Sequence, residues 1–402
     1  MFANLLLVVA VLGTLSSSVY LLMVLAGCWR FNRRSRRSPV NLAPAPVTIL
    51  KPLHGAEPRL LQNLEGFFRQ DYPAYEIVFG VRSECDPALE IVRELMARYP
   101  CVPVQIVVSG DPGWPNAKAY NLSRMQAAAR HPYLIISDSD VAVEPGYAGA
   151  IMADLQQPRV GVVTCLYRGM PTAGIWTKLE ALGMSVELPS GVLVADMLEG
   201  MKFALGPTMA VTAECLGAIG GFQTLSDYLA DDFVLGNRAA GAGYKVVLSS
   251  HVIDHVVRHS SVAKSFQHQV RWTKSTRCSR PKGHLGTGLT FAVPFGMLGL
   301  IGGIVGGRPY LGTTSMPHLG LILLLAALVN RVIQCLAVGY VALDDGKGLR
   351  LALLYPLRDF LGFVFWLSSY FGGRYTTWRG ERCLISADGR MEREPVLTSS
   401  GD

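Results

Sequence analysis

Tyr133-Leu134-Ile135-Ile136-Ser137 runs directly into Asp138-Ser139-Asp140, and the middle of the chain is read from this stretch. The apolar, β-branched run is too short for a helix and ends in turn residues, so it predicts a buried strand. Two carboxylates one residue apart at the end of such a strand are expensive to keep unless they hold a cation. Alternate residues of an extended chain face the same side. Asp138 and Asp140 can therefore share one Mg2+ or Mn2+, with substrate phosphates completing the shell. Taken alone, the same pattern also describes solvated turn acids; its place after a buried strand favours the metal.

Upstream, residues 47–50, 75–81 and 104–108 predict further strands, and residues 60–69, 87–98 and 117–129 show helical spacing of apolar residues. Strand and helix alternate, which predicts an α/β fold with a mostly parallel sheet covered by helices. Ligands in such sheets bind at the carboxyl ends of strands. Asp86 follows the 75–81 strand and either accepts bonds from a base or ribose or, with Pro87, starts a helix. Asp231 and Asp232, in Tyr228-Leu-Ala-Asp231-Asp232, offer a carboxylate within reach of an attacking hydroxyl, or a solvated acidic helix start. In His268-Gln-Val-Arg271-Trp272, Arg271 suits a diphosphate and Trp272 a sugar or base, unless the segment is a basic helix on a bilayer. His251, His255 and His259 have metal-ligand spacing for a helix, but Val252-Ile253 and Val256-Val257 favour a strand that aims them differently. Zinc is not expected there. No GxGxxG or GxxxxGK[ST] pattern supports a dinucleotide or NTPase site.

Composition points to a membrane. Of 402 residues, half are hydrophobic and only 17% are charged, against ~25% in soluble domains. Residues 2–29 carry no charge, and more than twenty apolar residues at ~1.5 Å each cross a ~30 Å hydrocarbon core. Arg30, Arg33, Arg34, Arg36 and Arg37 come after this stretch, so it reads as a retained anchor with its C-terminal end cytosolic. A basic cluster so placed suits anionic headgroups and makes nucleic acid a poor partner. Eight scattered cysteines without a CxxC pair read as reduced thiols in a cytosolic setting. Residues 289–305 and 319–341 have crossing length, while 351–371 is interrupted by Pro356, Arg358 and Asp359. The tail arginines Arg374, Arg379 and Arg382 favour two crossings plus an interfacial or re-entrant third segment. Arg331 is a functional candidate inside the membrane, with snorkelling to an interface the preferred alternative. The expected organisation is an anchor (1–29), a basic linker (30–46), a catalytic domain (47–280), membrane segments (281–375) and a polar tail (376–402), disordered from about 386 onward.

The ordered string Ile49-Leu-Lys51-Pro-Leu-His-Gly55, Gln70-Asp-Tyr-Pro73, Asp86-Pro87, Asn116-Ala-Lys118, Asp138-Ser-Asp140, Leu229-Ala-Asp-Asp232 and Val270-Arg-Trp-Thr273 resembles ceramide glucosyltransferase and its relatives among the inverting glycosyltransferases of family 2 with the GT-A fold. Gly200-Met-Lys-Phe-Ala-Leu-Gly206 and residues 228–236 are similar to bacterial members that add N-acetylglucosamine to a hopanoid polyol. The resemblance implies an integral protein of the bacterial inner membrane with a cytosolic catalytic domain. It implies a UDP-sugar donor, a lipid acceptor and a divalent metal. Lys51, Asp86, Lys118, Asp138, Arg271 and Trp272 would bind the donor, with Asp86 on the uridine. Asp140, with Asp138, would present the metal, and Asp232 would be the general base. Asp231 and His268 would lie on the acceptor or phosphate side, although His268 stands where the QxxRW motif has Gln or Arg. Rival readings are a processive polysaccharide synthase, a phosphoprenol glycosyltransferase and a non-catalytic scaffold that binds nucleotide sugars.

Overall fold

Val47–Pro52 is buried along its whole length because parallel strands from both sides and helices from both faces cover it. In the computed structural model the described residues are 1–35, 43–257, 261–306, 309–310, 314–346, 348–371, 373, 375–378, 381–386 and 388–393. Arg36, Arg37, His259, Arg374 and Arg379 lie outside them. Helix α1 (Phe2–Ser35) leads into β1 (Val47–Pro52), α2 (Leu60–Phe68), β2 (Tyr75–Val81), α3 (Ala88–Arg98), β3 (Val104–Val108), α4 (Ala117–Ala128) and β4 (Tyr133–Ser137). The alternation read from the sequence is present with ends displaced by a residue or two.

The next part crosses the sheet and returns: β5 (Val141–Ala142), α5 (Tyr147–Leu155), β6 (Val160–Met170), α6 (Gly174–Leu182), α7 (Leu188–Glu199), β7 (Thr208–Thr212), α8 (Ala213–Ala218), α9 (Asp231–Gly241) and β8 (Lys245–Val256). All eight strands form one sheet in the order β3-β2-β1-β4-β7-β6-β8-β5. The β3-β2-β1-β4 half and the β6–β8 pair are parallel, whereas β7 and β5 run antiparallel to their neighbours.

Helices α10 (Val262–Ser279) and α11 (Pro281–Thr287) lead to α12 (Val293–Gly306), the short pair β9 (Pro309–Tyr310) and β10 (Thr314–Ser315), α13 (Met316–Leu336) and α14 (Tyr355–Ser368). Glycines let α1, α12 and α13 approach closely. A side chain at Gly320 would strike the Gly299 carbonyl, and one at Gly13 the Phe295 ring, the small-residue packing of helices in lipid. The outer faces stay apolar, with Leu5, Leu12, Leu15 and Leu22 of α1 and Leu321, Leu325 and Val329 of α13 exposed. Four helical stretches, 2–34, 174–199, 317–342 and 350–368, are long and apolar enough to cross a membrane.

Two sequence expectations change here, and one further apolar segment is added. The 289–305 segment has only 14 helical residues in α12, about 21 Å at ~1.5 Å per residue, short of a full crossing on its own. Segment 174–199 was not recognised from the sequence. It is two-thirds buried and carries Glu180, Glu187 and Asp196, which pair with His268, Arg358 and Arg34. Segment 351–371 is not broken at 356–359, because Pro356 falls in the first turn of α14, where no N–H is needed.

Arg331 does not snorkel. It is 2% exposed and donates to Asp359 at 3.2 Å and to Asn330 Oδ1 at 2.6 Å. The other carboxylate oxygen of Asp359 accepts the Ala292 and Val293 amides at 3.0 and 2.9 Å, capping α12. One turn face away, Arg358 pairs with Glu187 at 2.8 Å and donates to Gln269 at 3.0 Å. Two cations and two anions thus balance where the helices meet the sheet domain, as buried charges require.

The tail expectation also changes. β11 (Tyr375–Trp378), β12 (Glu381–Ile385) and β13 (Met391–Arg393) form an antiparallel sheet that buries Cys383, Ile385 and Met391. Residues 388–393 are therefore ordered, and the chain returns to the domain that it left at α10.

Candidate active site

Parallel pairing of β1 with β4 sets the carboxyl end of one beside that of the other. Lys51, fully buried, sends its ammonium under the turn that follows β4, donating to the Asp138 carbonyl at 2.5 Å and to Ser137 Oγ at 3.3 Å. It also stands 3.8 Å from the Phe67 ring centroid. Burial pulls Lys51 down to about 7, against the pull of Asp138 and Asp140. Its contacts are with the turn itself, so it supports the two carboxylates from below.

Asn116 starts α4, its side chain accepting the Ala119 amide at 2.9 Å. The same side chain donates to the Tyr228 carbonyl at 2.8 Å, and the Asn116 amide to Ser226 at 2.7 Å. This staple brings Lys118 to the start of α9. Lys118 Nζ lies 2.6 Å from Asp138 and 3.8 Å from Asp231. Burial opposes the charge on Lys118, but Asp138 and Asp231 overcome it and hold the amine charged above the ordinary lysine range.

Asp231 and Asp232 occupy the first turn of α9, where the helix dipole favours anions. Asp232 Oδ2 accepts the Gly206 amide at 2.7 Å and Oδ1 the Phe233 amide at 2.8 Å. Burial raises the Asp232 carboxyl above the ordinary carboxylate range, and adjacent Asp231 adds to the rise. Burial also raises Asp231, with Lys118 pulling the other way. Gly206 keeps open the space between the start of α9 and the turn after β4: a Cβ there would sit 3.2 Å from Asp232 Oδ2 and 3.7 Å from Asp138 Oδ2. Asp138 and Asp232, distant in sequence, therefore face one cleft. Gly206→Ala is expected to fold yet lower turnover about tenfold, since a 1 Å misplacement at a reacting group can cost more than that. Steady-state kinetics with a thermal melt checks it; wild-type turnover would remove the cleft from the site.

Asp140 turns to the other side of its strand end. Pairing of β5 with β8 places His255 opposite Val141, and His255 Nε2 meets Asp140 Oδ2 at 2.9 Å, both residues being buried. The strand expected through 252–257 explains this aim; a helix would not have given it. Asp138 and Asp140 thus hold separate partners, Lys118 and His255. Among the described residues no group of three His, Cys, Asp or Glu converges as a metal site.

The remaining expected residues sit elsewhere. Asp86 accepts the Gly55 amide at 3.0 Å and the Ala88 amide at 2.9 Å, so it ties the loop after β1 to the start of α3. On α10, His268 Nδ1 meets Glu180 at 3.0 Å and its ring lies 4.4 Å from Trp272. Arg271 and Trp272 are half-buried, on a helix that packs on α6, α11 and α14. The structure brings together Lys118, Asp138, Asp231 and Asp232; Asp86 and the α10 group contact other elements. The sequence reading named Gly206 in the Gly200–Gly206 string, His255 in the strand through 252–257 and Asn116 in Asn116-Ala-Lys118, but not their partners Asp232, Asp140 and Tyr228.

Comparison with known proteins shows the family. The family model described as "Glycosyl transferase family 21" matches residues 9–391. Ceramide glucosyltransferase 1 of Caenorhabditis elegans is 27% identical over 259 residues, covering 64% of this chain and 55% of that protein. Ceramide glucosyltransferase of Komagataella phaffii is 35% identical over 121 residues, covering 29% of this chain and 24% of that protein. The chain thus spans about half the length, or less, of these relatives. A solved mannosyltransferase of Pyrobaculum calidifontis, in complex with GDP-Man and Mn2+, has a TM-score of 0.49 at 19% identity, covering 90% of this chain and 97% of that one. With the family model matching nearly the whole chain, this protein belongs to glycosyl transferase family 21.

Proposed function

We propose that this chain is a membrane-bound enzyme of GT-A fold that transfers glucose or N-acetylglucosamine from a UDP-sugar to a lipid hydroxyl, inverting the anomeric carbon. The observation that carries the reading is the convergence of Lys118, Asp138, Asp231 and Asp232 around Gly206. Family membership and the ceramide glucosyltransferase relatives support a lipid acceptor, a ceramide or a hopanoid polyol.

Asp232 is the general base. Two backbone amides fix its oxygens, and its raised carboxyl suits proton uptake near neutral pH. It takes the proton of the lipid hydroxyl as that oxygen bonds to the anomeric carbon. The bond from that carbon to the diphosphate breaks on the opposite face, and UDP leaves. One base suffices, and no carboxylate nucleophile is needed.

Strand-end carboxylates are the oxygen donors that a divalent cation takes, but Asp138 here holds Lys118 and Asp140 holds His255, so a cation would enter only by moving Lys118 off Asp138. Asp138 and Asp140 would hold it, with His255 beside Asp140. When bound, such an ion neutralises charge developing on the diphosphate. Lys118, charged and also near Asp231, adds a second cation there. Asp86 would meet the uridine, Arg271 and Trp272 would bind the donor, and Asp231 and His268 would lie on the acceptor or phosphate side.

Helix α1 would span the bilayer, α12 and α13 would form a hairpin in it, and α14 would lie at its interface. Arg30, Arg33 and Arg34 at the end of α1 support a cytosolic sheet domain, and the membrane would be a bacterial inner membrane. Mass spectrometry of lipids from cells with and without the protein tests the function. A lipid heavier by one hexose or N-acetylhexosamine, present only with the protein, is the expected result; a long polymer or no new lipid contradicts it.

A further inference from the structure

We infer that the C-terminal sheet is a positioning element of the active site, with Arg390 and Met391 holding the loop that delivers Asp231 and Asp232. This rests on the assignment of Asp232 as base. Residues 226–230 immediately precede α9, so any shift of Tyr228 is passed to Asp232 within four residues. The loop is tied from inside by the two Asn116 bonds described above. From outside it is tied by the tail. The Met391 amide donates to the Asp227 carbonyl at 2.5 Å, and Arg390 forms an isolated antiparallel bridge with Tyr228. The Arg390 side chain repeats the tie, with Nε 3.3 Å from the Tyr228 hydroxyl and Cζ 5.7 Å from the ring centroid. Asp388 holds that guanidinium at 3.0 Å.

The other edge of the same sheet reaches α10. Lys274 Nζ, one turn beyond Arg271, donates to the Tyr375 carbonyl at 3.3 Å. The sheet therefore straps together two elements: the loop in front of the proposed base and the helix that carries His268, Arg271 and Trp272. Met391 and Ile385 are buried, so the strap is anchored by packing as well as by hydrogen bonds. The Arg390 and Met391 ties reach Asp227 and Tyr228 and no proposed donor-binding residue, and backbone pairing to a loop restricts its amplitude. The strap should thus act on turnover more than on donor affinity.

The test uses the full chain in lipid nanodiscs with Arg390→Ala, Arg390→Lys and Met391→Pro, the last deleting the amide that bonds Asp227. Arg390→Ala and Met391→Pro are expected to lower kcat about tenfold, with KM for the UDP-sugar within about twofold; the thermal midpoint stays unchanged in Arg390→Ala and falls in Met391→Pro, which also removes a buried side chain. Arg390→Lys should recover part of the loss. Amides 227–232 should exchange with deuterium faster in both weakened variants. Wild-type kcat, or exchange rates equal to wild type, overturns the inference, as does a parallel loss of stability and donor affinity. Should the wild-type chain transfer no sugar, the base assignment fails, and the exchange rates alone decide whether the strap exists.

Discussion

Replacing Asp232 with Asn is expected to lower kcat for sugar transfer by roughly 10²- to 10⁴-fold, the usual worth of a positioned base. UDP-sugar affinity should stay within about threefold, because the Asp232 carboxylate accepts the Gly206 and Phe233 amides and an amide oxygen can still accept from one of them. The pH profile follows from the same burial. A carboxyl raised above its ordinary value keeps its proton until higher pH, and only the deprotonated form can accept one from the lipid. Activity should therefore rise with pH, and the acid limb of kcat/KM should lie clearly above ~4, the value of a free carboxylate. Asp231 shares the same burial, so the limb belongs to the pair. Strong turnover by the Asn variant, or a limb at the ordinary carboxylate value, removes Asp232 from this role.

The second large effect concerns the helices. Arg331→Met should destabilise the protein by about 3–5 kcal/mol, since removing one member of a buried ion pair strands the other charge. Asp359 would be left 4% exposed with only the two α12 amides. Adding Asp359→Asn removes the stranded charge and keeps an oxygen for those amides, so the double variant should recover much of the loss. Thermal melts of the four species in detergent give the cycle. A single variant as stable as wild type would show that the pair adds nothing.

Much of the parallel half was legible, because each run from 47 to 137 is short, apolar and closed by turn residues. The antiparallel half was not read: β5 is two residues long and acquires its meaning by pairing Val141 with His255, far along the chain. The carboxylates were legible as chemistry, yet their partners were not. Nothing local in 138–140 says that Lys118 takes one side and His255 the other; β8 and the Asn116 staple decide it. Arg358 looked like an interruption of an apolar segment, and Arg331 like a charge that snorkels, because their partners, Glu187 and Asp359, lie on other helices. The tail looked polar since three short strands need only Cys383, Ile385 and Met391 inside.

The most direct measurement is the anomeric configuration of the product formed by the purified chain from an α-linked UDP-sugar and a lipid polyol, read by NMR after extraction. A single displacement driven by one base gives a single β-linked sugar on the lipid hydroxyl. An α-linked product, or a sugar released to water with none on lipid, would contradict the account.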